Sequence, residues 1–452
     1  MKKPYGTAFH FGKNPACIVV LLAVFLFCGG TCASDNPAEN WVWNDHPYIW
    51  KKSNGEWIIS LKPSKVIPES IPWSLFLYYS WTGEDDAAPA ELNIETAGKK
   101  SSFYFFPKPN SIDPRRSKET FLVFHSGQWK SLPEKITVTA INTPGKDFKV
   151  TDIKLKPRPA DADPLIADPG TMLNYPLSSF RNRNYETFSH NLYPSLLFLV
   201  SDSFAVQSQF LKRLAFFTEK TGFVGKLAAD EEIADLRDWF AHDYRAGDLA
   251  AFFNLAQKQN FPLNDSEIRL RELLLVQGII RAEGDSYTEG EGALLGFSVE
   301  SKDRLPVYYV HEAVHGLEFI IPELRVIFLD FFNSLSGIEK IFLTDALHSR
   351  GYNVIEDKQL LASETAAYLL QQQPEETDAY FKEYVLTWYL LYNKDPEVDY
   401  SEEPYSDRVT EYLKANPGIF GRRCEALQKE FRSITGLCAE NFYDLLPKNS
   451  SL

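Results

Sequence analysis

Hydrophobic positions in the first third of the chain fall in short runs of β-branched and aromatic residues. Between positions 55 and 157 these runs are separated by Pro, Gly, Asn and Asp, a spacing typical of strands joined by turns. The predicted strands cover 57–61, 73–79, 102–106, 120–124 and 136–140. The pattern predicts a β-sandwich domain over residues 34–157, which serves glycan binding, protein docking or packing against the next domain.

The pattern changes after residues 158–176, a stretch rich in Pro, Asp and Ala that is typical of a linker. Beyond it, apolar residues recur every three or four positions, as on one face of a helix. The predicted helices cover 203–220, 230–240, 246–259, 266–280, 306–320, 360–373, 379–391 and 420–434. We therefore expect an α+β multidomain protein with a mainly helical domain over residues 177–452 and a single strand at 293–299.

The first residues have the pattern of an export signal. Lysines precede an apolar run at 16–28, and small residues follow as far as Ala33. We predict a signal peptide over residues 1–33 and an exported protein that is periplasmic, secreted or at the cell surface. The chain would contact a membrane only if the signal stays uncleaved or if Cys32 carries a lipid.

Composition narrows the possible partners. Hydrophobic residues make up 44% of the chain, enough for a sizeable core, and the formal net charge is −14. An acidic protein is repelled by phosphate backbones, so we exclude nucleic acid as a partner.

Two cysteines, Cys424 and Cys438, lie outside the predicted signal. In an oxidising compartment they could form a disulfide, and two buried thiols are the alternative. Two cysteines are too few for a disulfide scaffold.

The chemistry of the chain is concentrated in the run VHEAVHG at 310–316, which contains the pattern H-E-x-x-H. Residues four apart share one face of a helix, so His311 and His315 can bind one Zn²⁺. Glu312 lies beside them and can act as the general base toward the metal-bound water. The flanking residues are apolar, as a buried active-site helix requires.

A catalytic zinc needs a third protein ligand. Glu364 lies in the apolar run LASETAAY at 361–368, where an ionised carboxylate needs a partner such as a metal. Glu318 is the alternative ligand, although its position one turn after His315 better suits support of that ligand. We therefore predict one catalytic Zn²⁺ bound by His311, His315 and Glu364.

These residues resemble the gluzincin division of the zincin metallopeptidases, over His311 to about Tyr368. The spacing to Glu364 is longer than in thermolysin-like enzymes. The segment 210–373 also resembles a bacterial family of exported proteins to which no activity is attached. The gluzincin resemblance implies that the strand at 293–299 forms the cleft edge and binds an extended peptide; an ordinary hairpin strand is the alternative.

The resemblance also implies a donor to the oxyanion, for which Tyr368, His348 and Tyr352 are candidates. Tyr368 is favoured because it lies one turn from Glu364. The run AHDYR at 241–245, in a region predicted to be helical, contributes either to the cleft or only to structure.

The leading functional hypothesis is a zinc metallopeptidase acting on peptide or protein substrates. The two alternatives are a non-catalytic cell-surface binding protein on the same scaffold and a metal-dependent hydrolase of cell-wall glycopeptides. An intact H-E-x-x-H favours catalysis, because a binding scaffold does not need the base Glu312.

Overall fold

Strands occupy the first third of the chain and helices most of the rest in the computed structural model. The structure describes residues 48–61, 70–82, 90–96, 99–105, 121–128, 132–141, 147–220, 222–236, 239–392, 405–437 and 439. The predicted α+β class is confirmed. The predicted signal at 1–33 and Cys438 lie outside the described residues.

Two antiparallel sheets form the N-terminal part. Their strands are β1 (Tyr48–Ser53), β2 (Glu56–Leu61), β3 (Trp73–Thr82), β4 (Ala90–Thr96), β5 (Lys99–Phe105), β6 (Phe121–His125), β7 (Lys135–Ile141) and β8 (Asp147–Pro157). The first sheet has the order β1-β2-β7-β4-β5 and the second the order β6-β3-β8. All five strands expected from the sequence are present.

The two sheets share one hydrophobic cluster. Ile59 and Val138 of the first sheet and Leu75 and Phe124 of the second belong to it, and each is at most 1% exposed. Each sheet therefore buries one face against the other, which is what alternating strand sequences require.

A third sheet follows, with the order β12-β15-β11-β10-β9. Its strands are β9 (Leu165–Ala167), β10 (Tyr185–His190), β11 (Leu196–Ser201), β12 (Ala241–Arg245) and β15 (Ala293–Ser298). Strands β11 and β15 are parallel, whereas β12 is antiparallel to β15 and forms one edge of the sheet. A separate hairpin consists of β13 (Ile280–Glu283) and β14 (Ser286–Glu289).

The helices surround this third sheet. They are α1 (Pro169–Leu173), α2 (Phe204–Thr218), α3 (Asp230–Ile233), α4 (Ala246–Gln259), α5 (Asp265–Val276), α6 (Leu305–Ile320), α7 (Pro322–Ser334), α8 (Gly337–Ser349), α9 (Lys358–Leu370), α10 (Pro374–Tyr380), α11 (Leu386–Tyr392), α12 (Tyr405–Ala415) and α13 (Ile419–Thr435). A π-helical turn, Phe381–Val385, joins α10 to α11. Among the described residues, no helix combines the length and apolar character needed to cross a bilayer.

Alternate side chains of the third sheet belong to two different cores. On β15, Leu295 contributes to the cluster that contains α6 and α9, and Leu294 to the cluster that contains α2, α4 and α5. Helices thus cover both faces, which explains why β11 and β15 are nearly continuous apolar runs.

Gly316 brings α6 close to the sheet. A Cβ at this position would lie 3.0 Å from the Leu295 methyl groups and 3.2 Å from a Leu196 methyl group. A larger residue would push α6 away from β15.

Three local predictions need correction. The helix predicted at 230–240 ends at Ile233. The run at 241–245 is the edge strand β12 and not a helix, and the burial of its side chains has the period of two that a strand requires, with His242 and Tyr244 buried. The predicted linker 158–176 contains β9 and the buried helix α1.

His125 connects the second sheet to the third. Its Nε2 donates to the Ile166 carbonyl at 2.8 Å, so its Nδ1 is the acceptor of the Ser74 hydroxyl at 2.7 Å. The hydrogen bond that Nδ1 accepts requires the neutral imidazole. Burial lowers the pKa of His125 to about 4, and the charges of Arg181 and Arg158 add to this.

We expect this histidine to make the fold sensitive to acid. The unfolded state binds a proton at the usual pKa near 6.5, so the contribution of His125 is complete above that pH and is lost as the pH falls toward 4. The loss is about 3 kcal/mol of the free energy of unfolding. Urea unfolding of the wild type and of His125→Gln between pH 7 and pH 4 measures it. Identical pH slopes for the two proteins would contradict the assignment.

Candidate metal centre

Helix α6 presents His311 and His315 on one face, one turn apart. Tyr309 and Gly316 lie against the sheet, beside Phe198 and Leu295, and the two imidazoles lie on another face of the helix. Their Nε2 atoms lie 3.2 Å apart. His315 is 3% exposed, and the His311 side chain is 12% exposed. The pair is therefore buried but still reachable from one side.

Helix α9 supplies the carboxylate. Its first turn is capped by Asp357, which accepts from the backbone amides of Gln359 and Leu360. The Glu364 oxygens lie 3.5 Å from Nε2 of His311 and 3.5 Å from Nε2 of His315. The three ligands predicted from the sequence therefore lie together, and among the described residues theirs is the one such group of metal-ligating side chains.

The outer nitrogen of each imidazole has a partner on α9. Nδ1 of His311 lies 2.9 Å from Oε1 of Gln371, which follows α9 directly, and Nδ1 of His315 lies 2.9 Å from Oγ of Ser363. The amide oxygen only accepts, so it fixes the proton of His311 on Nδ1. Ser363 donates to Glu318, so it accepts from Nδ1 of His315. Both Nε2 atoms are left with lone pairs that face each other.

Glu318 therefore occupies the supporting position that its sequence spacing suggested. Its carboxylate accepts from Ser363 on one oxygen and from Gln359, at 3.0 Å, on the other. Glu318 does not contact His315 directly; it holds the Ser363 hydroxyl, which in turn accepts from the His315 ring and orients it.

The arrangement fits a metal ion. Two lone pairs 3.2 Å apart and a carboxylate repel one another unless a cation lies between them. Oε2 of Glu364 is buried and has no hydrogen-bond partner among the described residues. Tetrahedral coordination at bonds of 2.0–2.1 Å requires ligand atoms about 3.3 Å apart, close to the separations found here. Two imidazoles and one carboxylate are a common ligand set of catalytic zinc.

The pKa values of the two histidines are shifted in opposite directions. Burial lowers the pKa of His311, but the Glu364 and Asp243 carboxylates outweigh it and the net shift is upward. Burial lowers the pKa of His315 to about 4, and the charges of His311 and Arg245 act in the same direction.

Glu312 has a carboxylic partner in the run AHDYR at 241–245, whose role the sequence analysis left open. Its side chain is hydrogen-bonded to Asp243 of the edge strand β12. Burial raises the pKa of Glu312 well above its usual range, and the Asp243 charge adds to this. Burial likewise raises the pKa of Asp243. Each of the two carboxyl groups therefore influences the ionisation of the other.

Two tyrosines, Tyr368 and Tyr352, lie close to His311. The Tyr368 ring meets the His311 ring edge to face, with centroids 4.9 Å apart. Its hydroxyl lies 3.2 Å from the Tyr352 hydroxyl. Burial raises the pKa of both tyrosines, so both hydroxyls stay protonated and able to donate. The third candidate, His348, contacts the Tyr352 backbone carbonyl through Nδ1, at 3.4 Å.

The prediction that the strand at 293–299 forms the cleft edge is wrong. β15 pairs with β11 on one side and with β12 on the other, so both of its edges are occupied. The edge beside α6 is β12, which was missed because the run at 241–245 was assigned to a helix.

The sequence analysis missed Ser363 and Gln371, and it left the role of Asp243 open between the cleft and structure alone. For Gln371, the signal was its spacing of seven residues from Glu364, two helical turns on the same face. Ser363 carried no distinguishing signal.

No family model, curated protein or solved structure matches this chain. The resemblance to the gluzincins therefore depends on the residues and geometry described above.

Proposed function

We propose that this protein is a zinc-dependent peptidase with His311, His315 and Glu364 as metal ligands. The observation that carries the proposal is the convergence of three ligand groups at 3.2–3.5 Å, with both outer imidazole nitrogens already engaged. When bound, the metal would supply a Lewis acid for the scissile carbonyl and lower the pKa of a water molecule.

Glu312 is the proposed general base. It removes the proton of the attacking water and delivers it to the leaving amine. Its burial and its hydrogen bond to Asp243 support this role, because a raised pKa brings a carboxylate closer to the operating pH. Asp243 positions the Glu312 side chain and does not itself contact the reacting atoms.

Tyr368 is the proposed donor to the oxyanion, and Tyr352 positions its hydroxyl. The contact of the Tyr368 ring with His311 keeps the side chain beside the metal ligands. A neutral hydroxyl aimed at developing negative charge stabilises the transition state without loss of solvation.

The edge strand β12 favours a peptide substrate. Among the described residues, β12 pairs with β15 only, so its second edge is open to another strand. An extended peptide can add there by main-chain hydrogen bonds. On this proposal, the first two sheets form a β-sandwich domain over residues 34–157 and residues 177–452 the zincin-like catalytic domain. Residues 1–33 direct export.

A cell-wall glycopeptide is the second candidate substrate. A run of aromatic rings leads from His311 through Tyr368, Trp388 and Tyr380 to Tyr384, which is 57% exposed. Aromatic faces of this kind stack on the apolar faces of sugars.

The test is metal content together with hydrolysis. We expect the purified mature protein to contain about one zinc per chain. It should cleave members of a peptide library, lose that activity to a chelator and regain it with added zinc. Peptidoglycan fragments assayed in parallel distinguish the two substrates. A well-folded protein that binds no divalent metal would contradict the proposal.

A further inference from the structure

Arg245 ends the edge strand beside the metal centre. Side chains of a strand alternate between its two faces, so Arg245 shares a face with Asp243 and Ala241. Tyr244, between them, belongs to the core on the other side of the sheet, whereas Ala241 packs on the α6 side. Arg245 therefore lies on the face that carries the candidate base and its partner.

The guanidinium of Arg245 is held on an aromatic ring that contacts a metal ligand. Its central carbon lies 4.7 Å from the centroid of the Phe319 ring. That ring is nearly parallel to His315, at 21° and 6.5 Å between centroids. The N–H groups of a guanidinium lie in its plane, so they stay free to donate to a planar anion when the face of the guanidinium is stacked on a ring.

The Arg245 charge has no direct partner in the described part of the chain. No carboxylate lies within 4.0 Å of its nitrogens there, and the Phe319 ring is its one described contact. The Arg245 charge lowers the pKa of three carboxyl groups, those of Asp243, Asp248 and Glu318. Asp243 is hydrogen-bonded to Glu312. Glu318 accepts hydrogen bonds from Ser363 and Gln359.

Arg245 is an exposed cation in a protein with a formal net charge of −14. Such a protein repels acidic substrates at long range, so a local positive charge is needed to seat a negative group near the metal. Arg is also the side chain whose fork matches a carboxylate with two parallel hydrogen bonds.

We propose that Arg245 forms a subsite for a substrate carboxylate, so that the protein selects anionic peptides. This inference rests on the proposed peptidase function. The carboxylate belongs either to an Asp or Glu side chain near the scissile bond or to the C-terminus of the peptide. Both present the same planar anion to the guanidinium.

The experiment compares matched peptides on the zinc-loaded full-length mature protein. One set carries Glu or Gln at each position in turn, with an amidated C-terminus. A second set lacks acidic side chains and has a free or an amidated C-terminus. The readouts are kcat/KM for hydrolysis and, by calorimetry, Kd for the same peptides with the Glu312→Gln protein.

We expect one set to favour the anionic member by about 10- to 100-fold, the range of a charge-assisted hydrogen-bonded pair. The ratio should fall toward one in Arg245→Gln, and Arg245→Glu should favour Lys over Glu. The exposed Arg281, on the hairpin β13–β14, provides the control variant Arg281→Gln, which should keep the wild-type ratio.

The binding measurement separates the two proposals. If no peptide is hydrolysed, the peptidase function fails, but a preference for anionic peptides that disappears in Arg245→Gln still supports the subsite. Hydrolysis with equal rates and equal affinities for charged and neutral peptides overturns the subsite and leaves the peptidase function standing. An anionic preference that survives in Arg245→Gln overturns it as well.

Discussion

Replacing Glu312 with glutamine should lower kcat for peptide hydrolysis by about 10²- to 10⁴-fold, the usual contribution of a general base. Glutamine has the same shape and can still hydrogen-bond Asp243, but it cannot accept the proton of water. The zinc content should stay near that of the wild type, because the ligands at His311, His315 and Glu364 are untouched. Steady-state kinetics and metal analysis on the same preparation provide both values.

The control for this variant is Glu323→Gln, an exposed glutamate in the first turn of α7. It makes the same chemical change on the helix that follows α6, and its kcat should equal that of the wild type. A Glu312→Gln protein with wild-type activity would remove Glu312 from the mechanism. If this variant instead loses zinc, the Glu312 carboxylate takes part in metal binding.

Replacing Glu364 with alanine should weaken zinc binding by more than about 100-fold, beyond the 10- to 100-fold typical of residues that only support a ligand. The substitution removes the one anionic ligand and leaves two imidazoles 3.2 Å apart with no carboxylate between α9 and α6. His315→Ala should have an effect of the same order, and Ser363→Ala a smaller one. Competition with a chromophoric chelator measures the three affinities on one scale.

The neighbouring Thr365 provides a matched control. Its hydroxyl is buried and has no hydrogen-bond partner among the described residues, so Thr365→Val keeps the volume and loses no contact. This variant should bind zinc as the wild type does. If Glu364→Ala binds zinc normally, the ion is held by other residues and the proposed centre is wrong.

The sequence was most informative where one periodicity persists over many residues. The helices at 246–259 and 306–320 were predicted to within a residue of the observed α4 and α6. The cap of α5 was also readable, because Asn264 and Glu267 exchange hydrogen bonds as the spacing indicates. Glu364 stood out as a single acid in an apolar run.

Short and non-local features were beyond a single sequence. β12 has five residues whose polar and apolar positions do not alternate, so no local pattern distinguishes it from the helical sequence around it. Its position at the sheet edge depends on pairing with β15, about fifty residues later, and local patterns do not encode pairing of that kind. The roles of Asp243 and Arg245 follow from that pairing, so neither could be assigned before the sheet was known.

The candidate ligands come from only two helices, α6 and α9, which are separated along the chain by α7 and α8. A bound ion would therefore also link α6 to α9 and close the loop of chain between them, as a disulfide would. Because it binds the folded chain alone, an ion at 100 times its Kd adds about 2.7 kcal/mol to the free energy of unfolding. The melting temperature of this protein should therefore rise with the concentration of free zinc in its surroundings.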